Sequence, residues 1–295
     1  SENCVIEHQI VKGRFAPSPT GPLHMGSLVA ALASYLCAKK QQGSWIIRVE
    51  DLDPPREKKG MAEQQIKTLQ QFGLVSDEAI VWQSQRSDAY ETALDQLLLD
   101  EKAFYCSCSR KQLQLQNSIH RFCQNPENRP QSSIRLRMPD ETLAFNDAIY
   151  GIQKQNLAHE VGDMVLKRAD GLYAYQLAVV VDDDAQGINQ VVRGADLLDS
   201  TIRQIYLQQQ LKLMTPEYAH IPLVLDHSGQ KLSKSQWARA LDEEDCFSAF
   251  KLAYQHLGQT TRVLHRLQSP ESRLQMALQH FDQRLIKPIK ADGLP

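Results

Sequence analysis

The sequence predicts an α/β fold, in which helices cover the faces of a parallel sheet. Strand and helix patterns alternate over the first hundred residues, and the alternation resumes after about residue 160. Such βαβ alternation is typical of parallel sheets, whose ligands bind beyond the carboxyl ends of the strands. Between roughly 103 and 160 the pattern breaks into cysteines, prolines and short β segments, which indicates an insertion. From about residue 246 the pattern is helical.

The segment GRFAPSPTGPLHMGSLVAALASYL, residues 13–36, predicts a strand, a tight loop and a buried helix. The prolines of APSP exclude a helix where they stand. A helix is predicted over 22–41, with Pro22 in its first turn and leucines recurring every four residues on one face. His24 and Gly26 then lie at a helix N-terminus, whose free N–H groups suit a phosphate. The alternative is an ordinary βα turn with a surface histidine.

The other elements follow from the same patterns. WIIRVED is β-rich and places Glu50 and Asp51 at a strand end, and helices are predicted over 56–72 and 87–102. IRLRM is a short strand within the insertion. DMVLKRADGLYAYQ predicts a hairpin with an Ala-Asp-Gly turn that leads into a helix. NQVVRG then predicts a strand, 196–213 a helix, and HIPLVLD a final strand before the loop HSGQKLSKSQ.

Length, composition and net charge limit the classes of function that this chain can have. A chain of 295 residues suits one large domain or two modest ones, and 42% hydrophobic with 23% charged residues is ordinary for a globular protein. No apolar run is long enough to cross a membrane, and the N-terminus lacks a signal-peptide pattern, so we expect a cytoplasmic protein. The net charge of -2 gives no global basic surface, so nucleic acid would need a local patch.

Cysteines concentrate in the insertion, where Cys106 and Cys108 are followed by His120 and Cys123. Two close pairs of soft or borderline ligands suit tetrahedral zinc, and four protein ligands would close the site and make it structural. C-x-C is less typical than C-x-x-C, so reduced thiols remain the alternative. Cys37 lies in the first helical pattern and is predicted to be a core residue.

The loop KLSKS holds Lys231 and Lys234 among hydroxyl side chains. Lysines on a mobile loop can follow charge that develops on a phosphate, although a K-x-x-K loop taken alone is usually a solvated turn. Together with HMGS, about two hundred residues upstream, the loop suggests a pair of clamps for a triphosphate.

HMGS and KLSKS resemble the HIGH and KMSKS signatures of class I aminoacyl-tRNA synthetases. Within that class, GRFAPSPTGPLHMGSL, RVEDLD, YQLAVVVDD and VVRGADLL are similar to the glutamyl-specific catalytic domain, in the same order and nearly throughout the chain up to Ser235. Met25 and Leu232 are apolar exchanges, and Ser27 replaces the second histidine, as is usual in the glutamyl group. The resemblance implies a Rossmann-type catalytic domain over 1–105 and 161–235, a zinc-containing acceptor-binding insertion over 106–160 and a helical, stem-contact-like region over 236–295.

The resemblance further implies that glutamate and ATP, with Mg2+, react to glutamyl-adenylate and pyrophosphate. Arg14 and Arg193 could make forked bonds to carboxylates, although a single arginine is more often in a surface ion pair, and Glu50 could accept from the ammonium group. Members of the family often bind zinc in the insertion, and some use a tyrosine where His120 stands. The implied glutamate-binding residues are Arg14, Phe15, Ala16, Pro17, Ser18, Glu50, Tyr175 and Arg193. The implied ATP-binding residues are His24, Gly26, Ser27 and Lys234, and the catalytic residues are His24, Lys231 and Lys234.

Only 60 residues follow Ser235, fewer than the ~100 of a usual domain, so no anticodon-binding domain is expected. The chain is similar to truncated relatives within the family, which attach glutamate to the base queuosine in the anticodon of tRNA(Asp). We therefore expect queuosine-bearing tRNA(Asp), L-glutamate and ATP as partners, no membrane, and a monomer. The alternatives are a minimal synthetase that charges a tRNA 3′ end, a nucleotidyltransferase with a small-molecule acceptor, and a non-catalytic paralogue.

Overall fold

The computed structural model describes residues 9–222, 240–241 and 245–289. Lys231, Lys234 and the rest of the KLSKS loop lie outside these residues. The strands and helices of the described chain are, in order, β1 (Lys12–Phe15), α1 (Met25–Lys40), β2 (Ser44–Val49), α2 (Met61–Gln71), β3 (Val81–Trp82), α3 (Ser87–Leu99), β4 (Ala103–Cys106), α4 (Arg110–Gln114), β5 (Ser133–Leu136), β6 (Thr142–Asp147), β7 (Gly151–Asn156), β8 (Met164–Lys167), α5 (Tyr175–Ala185), β9 (Gln190–Gly194), α6 (Thr201–Gln210), β10 (Glu217–Ile221), α7 (Cys246–His256) and α8 (Pro270–His280).

Parallel strands form the centre of the fold, as the sequence predicts. β1, β2 and β3 pair in that order, and β9 pairs with β10. The two groups meet at their amino ends, where the N–H of Asn189 donates to the carbonyl of Lys12 at 3.1 Å. The chain leaves β1 toward β2 on one side and returns later as β9 on the other. Such a change of direction opens a crevice at the carboxyl ends of the two strands, which is where open α/β sheets bind ligands.

Helix α1 packs between the sheet and the C-terminal helices. Leu28, Leu32 and Leu36 have no exposed surface, and Cys37 is buried as predicted. The helix begins at Met25, with His24 as the preceding cap residue, so the prediction that Pro22 lies in its first turn is wrong. The proline instead belongs to the loop, which continues to His24 because the cap residue keeps an extended backbone.

The segment predicted as an insertion builds two antiparallel units. One is a sheet in the order β4, β5, β8, which therefore includes strands on both sides of residues 106–160. The other is the hairpin β6–β7, whose turn lies against β10, because the N–H of Ala148 donates to the carbonyl of Tyr218 at 2.9 Å. After β8, the backbone bridge between Lys167 and Tyr173 confirms the hairpin predicted around the Ala-Asp-Gly turn.

Several boundaries differ from the sequence prediction. The helix predicted over 56–72 begins only at Met61, and the helix predicted over 87–102 ends at Leu99. The helix predicted over 196–213 is a 3₁₀ helix over Ala195–Ser200 followed by α6, which ends at Gln210. The final predicted strand starts earlier, at Glu217. Beyond it, α7 and α8 confirm a helical C-terminal region, and the Tyr254 hydroxyl in α7 donates to the carbonyl of Ala277 in α8 at 2.8 Å. None of the described helices has the length and apolar character needed to cross a membrane.

Candidate active site

A cavity of about 340 Å³ opens between the carboxyl ends of β1 and β9. All of the residues predicted to bind glutamate line it, except Pro17. The carbonyl of Pro17 accepts instead from the N–H of Glu50 at 2.9 Å and so ties the PSPT loop to the end of β2. The full lining is Arg14, Phe15, Ala16, Ser18, Ala30, Glu50, Tyr175, Val192, Arg193, Gly194 and Leu197.

The loop between β1 and α1 is fixed by a buried amide. Nε2 of Gln65, on α2, donates to the carbonyls of Ser18 at 3.0 Å and Gly21 at 2.7 Å. A loop with prolines has few N–H groups of its own, so donors from other elements must satisfy its carbonyls. This anchoring fixes the backbone of Ser18 at the cavity wall.

Arg14 makes the predicted forked bond, but its partner is a protein carboxylate. Nε and Nη2 of Arg14 donate to the two oxygens of Asp183 in α5 at 3.0 and 3.1 Å. Arg48 contacts the same carboxylate at 2.9 Å, and all three side chains are buried. Burial opposes ionisation of Asp183, but the two arginines hold the pKa of Asp183 below its usual range. Arg14 therefore lines the cavity as part of a fixed cluster of charges with Asp183 and Arg48.

Sequence reasoning missed Asp183 and Arg48, although a signal was present. Arg48 interrupts the apolar strand WIIRV, and Arg14 likewise lies within strand β1. A charge on a buried strand requires an opposite charge nearby. The acids that end the apolar helix LAVVVDDD are the natural candidates, and two of them, Asp182 and Asp183, are buried.

Arg193 differs from Arg14 because all of its protein partners are neutral. Nε donates to Nε2 of His220 at 3.0 Å, Nη1 to Gln204 at 2.8 Å and Nη2 to Thr201 at 3.0 Å. Within the part of the chain that the structure describes, no carboxylate pairs with this buried guanidinium. Of its five N–H groups, one on each terminal nitrogen therefore has no acceptor among the described residues. The cavity thus presents an uncompensated positive charge that suits a carboxylate ligand.

Glu50 provides the complementary acid. Its side chain is buried, and among the described residues Oε2 has no hydrogen-bond partner. Burial raises the pKa of Glu50 to about 7, and the positive charges of Arg48 and Arg14 only partly offset this. An ammonium group in the cavity would supply the missing partner and favour the ionised form. Burial likewise raises the pKa of Tyr175, which keeps its hydroxyl neutral as a hydrogen-bonding group.

A second cavity, of about 270 Å³, adjoins the first at the N-terminus of α1. Gly26 and Ser27, two of the residues that the resemblance implies for ATP binding, line it, and Ala30 and Gly194 are shared with the first cavity. His24 does not line it, but it precedes the helix, and its buried Nδ1 has no partner within the described residues. The free N–H groups of a helix start suit a phosphate here.

A third cavity, of about 640 Å³, adjoins the first on its other side. Ser18, Glu50 and Tyr175 line both. The outer part of the third cavity carries charged side chains of both signs, namely Asp53, Arg56, Glu57 and Arg168. The three cavities therefore follow one another along a single cleft.

The predicted metal ligands lie together in the structure. The ligand atoms of Cys106, Cys108, His120 and Cys123 are all within 4.8 Å of one another. Burial opposes ionisation of the Cys106 thiol, but its hydrogen bonds to His120 and Cys108 outweigh burial and lower its pKa to about 6. The cluster thus offers a thiolate, which is the form that binds metal, and a donor set that fits a tetrahedral ion.

Asp163 supports this cluster and was not found from the sequence. Nδ1 of His120 lies 2.8 Å from Oδ2 of Asp163, which leaves Nε2 facing Cys106 and Cys108 at 3.5 and 3.7 Å. A carboxylate behind a histidine fixes the ring orientation that metal ligation requires. The N–H of Met138 in turn donates to Oδ1 of Asp163 at 2.8 Å. The cluster is therefore prearranged to hold a metal ion.

Known proteins resemble the chain over most of its length. The family described as tRNA synthetases class I (E and Q), catalytic domain, matches residues 10–133 and 121–249. A glutamyl-Q tRNA(Asp) synthetase from Xanthomonas axonopodis pv. citri is 52% identical over 93% of this chain and 92% of its own length. A protein of the same name from Burkholderia cenocepacia is 51% identical over 84% of this chain and 88% of its own length.

A solved structure shows the same architecture. A glutamate tRNA ligase from Elizabethkingia meningosepticum, in complex with its amino acid, matches with a TM-score of 0.80 and 25% identity, over 97% of this chain and 68% of that protein. The family match covers the strands, the cleft and the cysteine cluster described above. By its sequence and its fold, the chain belongs to the class I tRNA synthetases (E and Q).

Proposed function

We propose that this chain activates L-glutamate with ATP and transfers the glutamyl group to queuosine in the anticodon of tRNA(Asp). Membership of a ligase family supports the reaction type. Relatives about half identical over most of both chains bear the name glutamyl-Q tRNA(Asp) synthetase, which supports the acceptor. Since tRNA and ATP are cytoplasmic substrates, the reaction takes place in the cytoplasm, and a monomer suffices for it.

The order of the three cavities carries the proposal. The first cavity, which contains Arg193 and Glu50 and is called the glutamate-type cavity below, lies between the other two. One of these is at the start of α1, and the larger one is beyond Tyr175. In the first step an α-carboxylate oxygen of glutamate attacks the α-phosphorus of ATP, and pyrophosphate leaves. In the second step a hydroxyl oxygen of the acceptor attacks the carbonyl carbon of glutamyl-adenylate, loses its proton, and AMP leaves. Each reactant therefore has its own cavity beside the reacting carboxyl group.

Side chains around the middle cavity match the charges of glutamate. Arg193 offers two N–H groups to a carboxylate, and Glu50 accepts from the ammonium group. Ser18 and Tyr175 supply neutral hydrogen bonds, and Arg14 adds positive charge that Asp183 partly balances. Phe15 and Ala16 shape the wall, and Pro17 anchors the loop behind them to the end of β2. A glutamine side chain would leave a buried cation unpaired, so it should be rejected by ~10⁴-fold in favourable cases.

The nucleotide is bound at the N-terminus of α1. Gly26 and Ser27 provide backbone and hydroxyl donors, and His24 stands beside them with an unpartnered ring nitrogen. By resemblance to the KMSKS signature, Lys231 and Lys234 contribute positive charge for the triphosphate, which Mg2+ accompanies.

The acceptor enters the third cavity. Queuosine carries a cyclopentene diol, which presents two neighbouring hydroxyls as a terminal ribose does. An unstacked anticodon base can be splayed into such a cavity. The segment 106–160 then faces the RNA, with zinc at Cys106, Cys108, His120 and Cys123 as a closed structural site, while 1–105 with 161–235 forms the catalytic domain and 236–295 supports it.

The decisive experiment uses labelled glutamate, ATP and tRNA(Asp) that either carries or lacks queuosine. We expect label on the queuosine-bearing tRNA alone, in the fragment of that tRNA that contains the anticodon. Transfer of glutamate to the 3′ end of tRNA(Glu) would overturn the acceptor assignment. Absence of glutamate-dependent exchange between pyrophosphate and ATP would overturn the activation step.

A further inference from the structure

His220 connects the glutamate-type cavity to the hairpin β6–β7. Its ring lies behind Arg193, where Nε2 accepts from Nε of the guanidinium at 3.0 Å. On the opposite side of the ring, Nδ1 lies 2.6 Å from Oδ1 of Asp147, at the end of β6. Both His220 and Asp147 are completely buried, since His220 has no exposed surface and Asp147 only 1%. A carboxylate 73 residues away in sequence thus contacts the group that holds the arginine.

The hydrogen bonds define which nitrogen of His220 carries the proton. Asp147 accepts only, so Nδ1 must donate, and Nε2 of a neutral ring then offers its lone pair to Arg193. Burial lowers the pKa of His220, so the ring is neutral. With the proton on Nε2 instead, an N–H of the ring would face an N–H of the guanidinium. One of the three hydrogen bonds that orient the guanidinium therefore depends on this tautomer.

The carboxylate of Asp147 is itself immobilised. Oδ2 accepts from the N–H groups of Ile149 at 3.1 Å, Tyr150 at 3.0 Å and His220 at 3.2 Å. These bonds use the oxygen that does not face the ring and fix the carboxylate within the turn between β6 and β7. The turn therefore presents one acceptor to His220 in a defined place.

We propose that Asp147 is a positioning residue for glutamate recognition, because it fixes His220 in the tautomer that orients Arg193 toward the cavity. The inference rests on the proposed role of Arg193 in binding glutamate. Asp147 lies in the segment 106–160, which the sequence predicts to bind the acceptor. The proposal therefore gives a residue of that segment a function in amino acid recognition.

Substitution of Asp147 by asparagine tests the tautomer directly. An asparagine amide can face His220 with its NH2 group while its oxygen keeps the turn bonds, and the ring then accepts at Nδ1 and carries its proton on Nε2. A carboxylate-to-amide change behind a histidine acts in this way in serine proteases, where it produces the wrong tautomer. In Asp147→Asn we expect the KM for glutamate to rise at least ~10-fold in pyrophosphate exchange, with the KM for ATP changed less than about twofold.

The His220→Gln background separates positioning from a general structural role. A glutamine oxygen can accept from Nε of Arg193 and has no tautomer to lose. Asp147→Asn should therefore raise the KM for glutamate by less than about threefold in this background, a non-additivity that a double-mutant cycle measures. If Asp147→Asn raised the KM for glutamate by the same factor in both backgrounds, Asp147 would only stabilise the turn, and the proposal would be overturned.

A matched control and a spectroscopic measurement complete the test. Asp140 also contacts a histidine, because its Oδ2 lies 3.1 Å from Nε2 of His159, but both side chains are largely exposed. Asp140→Asn should therefore change neither KM.

Nitrogen-15 NMR of the full chain should show His220 protonated at Nδ1, and protonation at Nε2 would contradict the proposal even if a variant failed to fold. If the unmodified protein shows no glutamate-dependent exchange, the proposed function fails, whereas normal exchange in Asp147→Asn refutes this inference alone.

Discussion

Arg14 and Asp183 form a two-pronged ion pair beneath the candidate amino acid pocket, with distances of 3.0 and 3.1 Å between their nitrogen and oxygen atoms. Both side chains are buried, and Arg48 contacts the same carboxylate. Breaking one side of such a pair leaves a charge in the interior without its partner. The cluster therefore links recognition of the amino acid to the stability of the fold.

Arg14→Met should reduce stability as well as glutamate activation. Loss of the bidentate partner leaves Asp183 with Arg48 alone, so we expect a loss of about 3 kcal/mol in the free energy of unfolding, measured by urea denaturation. Arg284→Met is the matched control, because Arg284 forms an ion pair with Asp282 but is 89% exposed. Its free energy of unfolding should change far less, because solvent screens an exposed pair. Equal losses in the two variants would contradict the buried cluster.

Glu50→Gln should change the pH dependence of stability. Burial raises the pKa of Glu50 from 4.5 to about 7, so the native state binds the proton more tightly than the unfolded chain does. The stability from this group is fully present below pH 4.5 and is lost as the pH rises to 7. As the pH rises from 5 to 8, the free energy of unfolding of the variant should increase by about 2–3 kcal/mol relative to that of the wild type. Glu63→Gln, on the exposed face of α2, should show no such trend in urea denaturation.

The same carboxyl group should make glutamate binding depend on pH. An ammonium group needs the ionised form of Glu50, so the KM for glutamate of the wild type should rise as the pH falls from 8 to 6. Glu50→Gln should bind glutamate weakly at every pH, with a flat profile over this range. A wild-type KM that stays constant from pH 8 to 6 would refute the role of Glu50.

Lys234→Ala should lower the rate of activation by roughly 10²–10³, with a smaller effect on the KM for ATP, because the loop charge is matched to the transition state. Lys231→Ala should act in the same direction but less strongly. Single-turnover formation of glutamyl-adenylate is the measurement. Lys251→Ala, at an exposed position of α7, serves as the control. Weaker ATP binding with unchanged turnover would contradict the catalytic role.

Elemental analysis should find one zinc ion per chain in protein purified without added metal. Cys106→Ser and Cys123→Ser should release it, whereas Cys246→Ser, outside the cluster, should retain it. Asp163→Asn should weaken zinc binding about 10–100-fold through the orientation of His120. Glutamate activation should survive zinc loss better than transfer to RNA does. Full transfer by metal-free protein would exclude a structural role for the ion.

Local patterns predicted the scaffold well and the supporting contacts poorly. The alternation of apolar residues indicated the parallel strands and α1, and motif order indicated the residues around the cavity. Asp183 and Asp147 were missed because their partners lie 169 and 73 residues away, and no local periodicity encodes a pairing at such distances. The start of α1 was misplaced by three residues because a proline fits both a first helical turn and the loop before it.

The turn from Asp147 to Tyr150 also matters for protein engineering. Its backbone bonds to Tyr218, and the Tyr150 hydroxyl donates to the carbonyl of Ile289 at 3.4 Å. A chimera that takes the whole 106–160 segment from a relative with another RNA specificity would also replace Asp147 and its turn, which contact His220 behind Arg193. If Asp147 positions Arg193 as we propose, such an exchange would alter amino acid recognition together with RNA recognition. Junctions that leave the hairpin β6–β7 with its host would allow one trait to be exchanged without the other.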